Sequence, residues 1–359
     1  MANSLFFLLI LGLFYILGVF VDSSRRKYRV VLLLAAMLQC AVVCNAQQMG
    51  TAVSTFLEFP VSAHTAALGG NTVSFTGGDQ MFAFSNPASL GAESHNQINL
   101  NYSVYMYHTG YASAAYTYKF SDKDVFMAGF QAAMYGKMKS YDASGTEIGT
   151  VSANDFAFTA TYSRLLNKYF SIGVTLKPAI NSYGGYTSFS LGGDVGVMFH
   201  DTVSLVNVGL AVQNFGGRLA GPEGVTLASK WMPLNVTLGV SKRLKKAPIV
   251  FYLTLQNLQK WNDSNVGLMI GKKFIVGMDI MPKSEKFWVG LSYNFDRGLS
   301  LGNPTVMSLS GLSFGGGAKL YMLRLGVGIA FYSTSAVTAH FSLAMDINWF
   351  NKKFRSSGV

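Results

Sequence analysis

From Tyr321 to Tyr332 the chain alternates. Tyr321, Leu323, Leu325, Val327, Ile329 and Phe331 are large and apolar, whereas Met322, Arg324, Gly326, Gly328, Ala330 and Tyr332 are mostly small, polar or charged. A period of two puts each set on its own face of a strand. The neighbours repeat the pattern. Phe287, Val289, Leu291, Tyr293 and Phe295 alternate with Trp288, Gly290, Ser292, Asn294 and Asp296. Val337, Ala339, Phe341, Leu343, Met345, Ile347 and Trp349 alternate with a second small or polar set. Successive strands of about 10 residues, apolar on one face and small or polar on the other, predict an all-β fold: a transmembrane antiparallel β-barrel.

From Asn96 onward the pattern predicts about fourteen strands, an even number as in bacterial barrels. They fall near 96–107, 111–120, 124–135, 152–165, 168–182, 187–200, 203–214, 233–243, 248–258, 273–283, 286–296, 307–319, 320–332 and 337–349. Even-numbered strands end in short connections such as Ser121-Asp122, Asn167 and Ser284-Glu285, with the twelfth and thirteenth meeting near Lys319. Several odd-numbered strands end in longer ones, at 136–151, 215–232, 259–272 and 297–306. Short periplasmic turns and long outer loops are the asymmetry of such barrels. Ile172, Val174 and Leu176 then meet lipid, and Ser171, Gly173, Thr175 and Lys177 face the lumen. Asp194, Asp279, Asp346 and Arg324 share the inward parity, where a charge is inexpensive. The sheet must close, because in lipid each unsatisfied backbone group costs several kcal/mol.

Residues 1–46 read as a leader. Arg25, Arg26, Lys27 and Arg29 form a basic region, Val30–Val43 an apolar one, and Cys44-Asn45-Ala46 a small-x-small cleavage site. Leu5–Val21, further upstream, reads either as a membrane anchor or as residues ahead of a start nearer the basic cluster. Residues 47–95 lack alternation and are rich in small residues and turn signals, so they are expected as a plug in the lumen. The barrel is assigned to 96–350 and a tail to 351–359.

Composition supports this division. Half the residues are hydrophobic and only 13% are charged, against about a quarter in soluble domains. Beyond the leader no apolar run reaches the roughly 18 residues of a membrane helix. Both cysteines, Cys40 and Cys44, lie in the leader, so the remainder is thiol-free. The net charge of +11 includes Lys242, Arg243, Lys245 and Lys246 at a periplasmic turn, and Lys352, Lys353 and Arg355 in the tail. These suit interfacial anchoring or a basic rim for a periplasmic partner. Nucleic-acid binding is not expected, since the charge is spread out and no groove-reading element is offered.

Two motifs of the plug carry a resemblance. Ala66-Ala67-Leu68-Gly69-Gly70-Asn71, followed by Ser85-Asn86-Pro87-Ala88, ahead of an even series of amphipathic strands, resembles the FadL-like barrel superfamily of long-chain fatty-acid transporters. Adding Phe56-Leu57-Glu58-Phe59-Pro60-Val61-Ser62-Ala63, His95-Asn96-Gln97, Ser152-Ala153-Asn154-Asp155 and Lys245-Lys246-Ala247-Pro248, the pattern resembles the PorQ family of type IX secretion systems. The plug-motif residues are Gly69, Gly70, Asn71, Asn86, Pro87 and Ala88. The resemblance implies an outer-membrane barrel of the attachment complex. Its partners would be a PorZ-like surface protein, a PorU-like sortase and a PorV-like shuttle barrel, which process cargo and join it to anionic lipopolysaccharide. The superfamily alone implies a transporter of hydrophobic small molecules. A general diffusion porin fits less well if the plug fills the lumen.

No enzyme motif stands up, and nothing points to a cofactor. Gly69-Gly70 is not a phosphate loop, and Gly315-Gly316-Gly317 reads as a kink or a close approach to the plug. The histidines, at 64, 95, 108, 200 and 340, are not at metal-ligand spacing. No Gly-x-Ser-x-Gly elbow is present. Candidate docking surfaces are the four long outer connections, with Trp231 and Trp261 as aromatic anchors either for a partner or for the membrane interface.

Overall fold

In the computed structural model, described over residues 52–105, 109–142, 144–221, 230–261, 266–282, 284–301, 309–333 and 336–348, fourteen antiparallel strands close into a barrel. They are β1 (Gln97–Val104), β2 (Gly110–Lys119), β3 (Asp124–Tyr141), β4 (Glu147–Asn167), β5 (Phe170–Tyr183), β6 (Tyr186–Asp201), β7 (Val206–Ala220), β8 (Asn235–Arg243), β9 (Ile249–Leu255), β10 (Phe274–Ile280), β11 (Phe287–Asn294), β12 (Leu312–Leu320), β13 (Leu323–Ser333) and β14 (Ala336–Asp346). Each pairs with its sequence neighbours, and β1 pairs with β14 from Gln97↔Asp346 to Val104↔Ala339. No helix among the described residues is long and apolar enough to cross a membrane. The leader, the tail, Trp349 and parts of all four long outer connections lie outside the described residues.

The parity follows the alternation. On β5, Ile172, Val174 and Leu176 are exposed while Ser171, Gly173, Thr175 and Lys177 are buried. Polar residues fill the inside: Asp194 and Asp279 are fully buried, as are Thr161, Ser190, Thr237 and His340. Apolar residues inside come from both plug and wall: the plug packs Phe56, Leu57, Met81 and Phe84 against Tyr111, Val125 and Met127 of the wall. A second cluster joins Leu68, Phe75 and Phe82 to Val250, Tyr252 and Met281.

Three expectations change. Residues 136–151 are not a loop: β3 and β4 run on past the wall as a two-stranded arm. Met134 is the last β3 residue paired to β2, and Ala153 the last β4 residue toward the tip paired to β5. Beyond a bulge between Met134 and Lys137, only the two arm strands pair with each other, and the described residues there are exposed or half-exposed. With water on both faces, such a segment has no reason to alternate, which is why it reads as loop. The second change is in the long connections after β9 and β11, which carry short helices, α2 (Val266–Gly271) and α3 (Phe295–Leu301). Third, the twelfth and thirteenth strands meet at Tyr321-Met322 rather than Lys319, with Tyr321 at a left-handed φ of 55° and 87% exposed.

Candidate functional site

The plug enters the lumen as a series of single turns. Its one α-helix, α1 (Ala63–Ala67), starts with a capping box: the Ser62 hydroxyl accepts from Thr65 N–H while Thr65 Oγ1 accepts from Ser62 N–H. It stops because Gly69 and Gly70 adopt φ of +87° and +95°, turning Gly70 N–H back onto the Thr65 carbonyl at 2.9 Å. The wall makes room for it. A Cβ on Gly328 would sit 2.6 Å from the Ala63 carbonyl oxygen, and one on Gly315 would sit 3.0 Å from Ala67 Cβ. Within the glycine run of β12, Gly315 is therefore a close approach to the plug, one of the two readings that the sequence allows, whereas Gly317 makes room for the Trp288 indole of the wall.

The Asn86-Pro87-Ala88 turn seats on the opposite wall. Asn86 caps it by accepting from Ala88 N–H and donating to the Val73 carbonyl at 2.7 Å. Gly173, Gly196 and Gly209, on β5, β6 and β7, face it. A Cβ at 196 would overlap Asn86 Oδ1, one at 209 the Val73 carbonyl, and one at 173 the Pro87 backbone. Asn71 and Gln213 exchange amide hydrogen bonds, and Gln213 also donates to the Ser85 carbonyl. One wall residue thus joins the two plug motifs, at the point where β7 bulges. Residues 213 and 214 there oppose Asp194 alone. Asn214 takes a left-handed φ of 56° and donates its N–H to Asp194, which also holds Lys177 at 2.7 Å.

A buried cluster of charged and aromatic side chains ties the plug to the wall, and no pattern along the chain points to it. His64 on α1 lies 3.0 Å from Asp79 through Nδ1 and 3.0 Å from Asp279 of β10 through Nε2. Trp288 stacks on the ring at 4.1 Å, and Phe75 and Phe82 meet it edge-on. Burial opposes the charged imidazole, but the two carboxylates outweigh it and hold the His64 pKa up at about 9. For Asp79, burial works toward protonation, and His64, with help from the Met81 N–H and Arg324, overcomes it and lowers the pKa. Below this cluster Arg324 donates to the Gly78 carbonyl at 2.9 Å, and Glu285 accepts from Gly78 N–H. His64 and Asp279 are 215 residues apart in sequence, so no local spacing could have revealed them.

Between the plug and the long connections lies a polar cup of about 280 Å³. Carboxamides dominate its lining: Asn71, Gln213, Asn235, Gln256, Asn257 and Asn294. Lys177, Arg297 and Tyr332 also line it, together with the carboxylates Glu58 and Asp296 and an apolar share from Leu57, Phe59, Val61 and Phe84. Gly69 and Gly70 form part of its floor, so the plug motif contributes there, whereas Asn86, Pro87 and Ala88 do not. Trp231 and Trp261 lie outside it. Trp231 bridges to Gly217, is 63% exposed, and accepts from Val53 N–H through its carbonyl. Trp261 donates to the Leu258 carbonyl and lies under Lys273 Nζ at 4.8 Å. The structure thus places the two tryptophans separately at the outer side.

No protein-family model matches the chain, and no curated protein matches it. Solved structures do. The toluene transporter TodX of Pseudomonas putida aligns with a TM-score of 0.50 at 13% identity, covering 80% of this chain and 97% of TodX. A TodX deltaS2S3 mutant, a monoaromatic hydrocarbon channel, aligns with a TM-score of 0.52 at 13% identity over 80% and 99% of the two chains. A Pseudomonas aeruginosa FadL homologue aligns with 0.49 at 11% identity over 80% and 98%. The fold resembles that of TodX. At such identities the likeness concerns architecture alone; in this chain that architecture is a closed fourteen-stranded barrel with residues of the N-terminal segment packed inside.

Proposed function

We propose that this chain is a corked outer-membrane barrel that serves as a fixed platform for a surface protein. The observation that carries the reading is the cork itself. It is fastened to the wall on opposite sides, by the His64 clamp and by Asn86 among three wall glycines. A lumen filled in this way suits anchoring. The β3–β4 arm, standing clear of the wall with both edges unpaired, offers main-chain groups to a partner strand. The finer assignment, a PorQ-like member of a type IX attachment complex with PorZ-, PorU- and PorV-like partners, rests on the motif resemblance and takes no support from the fold likeness.

A second reading is favoured by that likeness. The aligned TodX structures carry descriptions as a toluene transporter and a monoaromatic hydrocarbon channel, so passage of hydrophobic small molecules is the activity nearest to the fold. The cup mixes carboxamides with Leu57, Phe59, Val61 and Phe84, and an apolar solute stopping there would desolvate the amides without pairing them.

Affinity isolation from native outer membranes in mild detergent separates the two. Under the platform reading a surface protein co-purifies, and replacing Lys137–Val151 by a tight turn releases it while the barrel stays folded. Vesicles carrying the protein should then take up toluene or fatty acid no faster than empty ones. A purified chain that brings no protein along, and that speeds such uptake, would replace the platform by the channel.

A further inference from the structure

We propose that the cup above the plug is a binding site for a small hydroxylated anion, of the size and chemistry of one acidic sugar residue. At about 280 Å³ it lies near the lower end of the roughly 300–1,000 Å³ of small-molecule sites. Leu57, Phe59, Val61 and Phe84 give it an apolar side that suits the carbon face of a sugar ring, and the rest of its lining is polar. Planar amides, which donate and accept at once, match vicinal hydroxyls in the same way.

Most of these amides are held in place by their neighbours, which fixes the site before any ligand arrives. Asn235 accepts from Asn257 N–H at 2.8 Å, Gln256 donates to Asn294 at 3.1 Å, and Asn294 donates to the Gly69 carbonyl at 3.1 Å. Two lining groups are left over. Arg297 Nη1 and Asn257 Oδ1 are both buried without a hydrogen-bond partner. One is a charged donor and the other a neutral acceptor, so an occupant should bring an anionic group and a hydroxyl. Lys177 is committed to Asp194 and Asn214, leaving Arg297 as the cation for the anionic group. The guanidinium is positioned from beneath: Tyr332 faces it at 4.2 Å, and a Cβ on Gly70 would come within 2.6 Å of Nη2. Gly70 is thus required twice, for its turn and for the arginine above it. A guanidinium held flat in this way engages a carboxylate through two parallel hydrogen bonds. Glu58 and Asp296 also line the cup; they repel any negative charge, so the anionic group must sit at Arg297 away from both, and a ligand with more than one such group is disfavoured.

The test is calorimetric titration of the purified full-length barrel in detergent with galacturonic acid, galactose, a galacturonate trimer and lauric acid. Expected are saturable binding of galacturonic acid, at least tenfold weaker binding of galactose, and loss of that preference in Arg297→Gln. Asn257→Ala, which leaves the arginine in place, should weaken both sugars about equally, by severalfold. Retention of heat-modifiable mobility shows that each variant is folded. A trimer that binds tenfold tighter than the monomer assigns the site to a glycan chain end, and equal affinity assigns it to the free sugar acid. No saturable binding of either acid, an undiminished preference in folded Arg297→Gln, or competition by lauric acid overturns the proposal.

Discussion

The wall and the plug of this barrel solve the same problem by opposite means. Wall residues satisfy their backbone through a continuous ladder, and their side chains need only the correct parity: Leu176 outward at 54% exposure, Lys177 inward at 2%. The plug has almost no ladder. Its turns are completed by single side chains, Ser62, Asp79 and Asn86, and its position depends on particular partners across the lumen. The wall should therefore tolerate change that preserves parity, whereas the plug should fail at single atoms.

Several substitutions break or sharpen this contrast. The largest effect is expected for Gly209→Val. A Cβ there overlaps the Val73 carbonyl, which is backbone and cannot rotate away. The barrel should still form, but the plug should become open to protease, read as cleavage within 52–95 while the strands stay resistant. Next is Asp279→Ala, which leaves a buried imidazole with one carboxylate. Breaking such a pair costs about 3–5 kcal/mol, to be read as loss of hydrogen-exchange protection in α1 with little change in the strands. On the wall, Leu176→Arg puts a charge against lipid at about 2–4 kcal/mol near the midplane, and should lower denaturant resistance of the whole barrel without freeing the plug selectively.

A smaller effect comes from pH. The His64 pKa is raised to about 9, so its contribution is complete below its unfolded value near 6.5 and fades as pH rises through about 9. The lowered Asp79 pKa acts in the other direction, contributing above about 3.9 and fading as pH falls. Plug protection should therefore weaken on raising pH from about 7 to about 10, less than in Asp279→Ala, since a neutral ring keeps one N–H. His64→Gln should remove the alkaline step. The smallest change is expected for Lys139→Ala in the arm. Its bond to Glu147 joins two exposed side chains, and such pairs contribute about 0–1 kcal/mol, so the melting temperature should barely move.

The contrast also explains what was legible in the sequence. All fourteen strands announced themselves, because each has one face in lipid and one in water, and period two records that division. Asp194 and Asp279 were placed inward by the same rule. The rule is silent where both faces see one medium, which hid the arm at 137–151. It is silent again inside the lumen, where His64 meets Asp279 and Gln213 meets Asn71 across distances that no window spans. Gly69-Gly70-Asn71 and Asn86-Pro87-Ala88 were recognisable as turns, but what they are turned against lies in Ile275, Arg297 and Gln213 for the first and in Gly173, Gly196 and Gly209 for the second. Arg297 read as an ordinary loop residue until the fold set it above Gly70.

The seam between β1 and β14 constrains the order of assembly. The ring cannot be finished until the last strand to be synthesised docks on the first, and the plug immediately precedes that first strand. A stopper with contacts on opposite walls can make them one at a time while the sheet is still open, and a sheet that closes around it uses the cork as the mandrel on which the barrel is rolled.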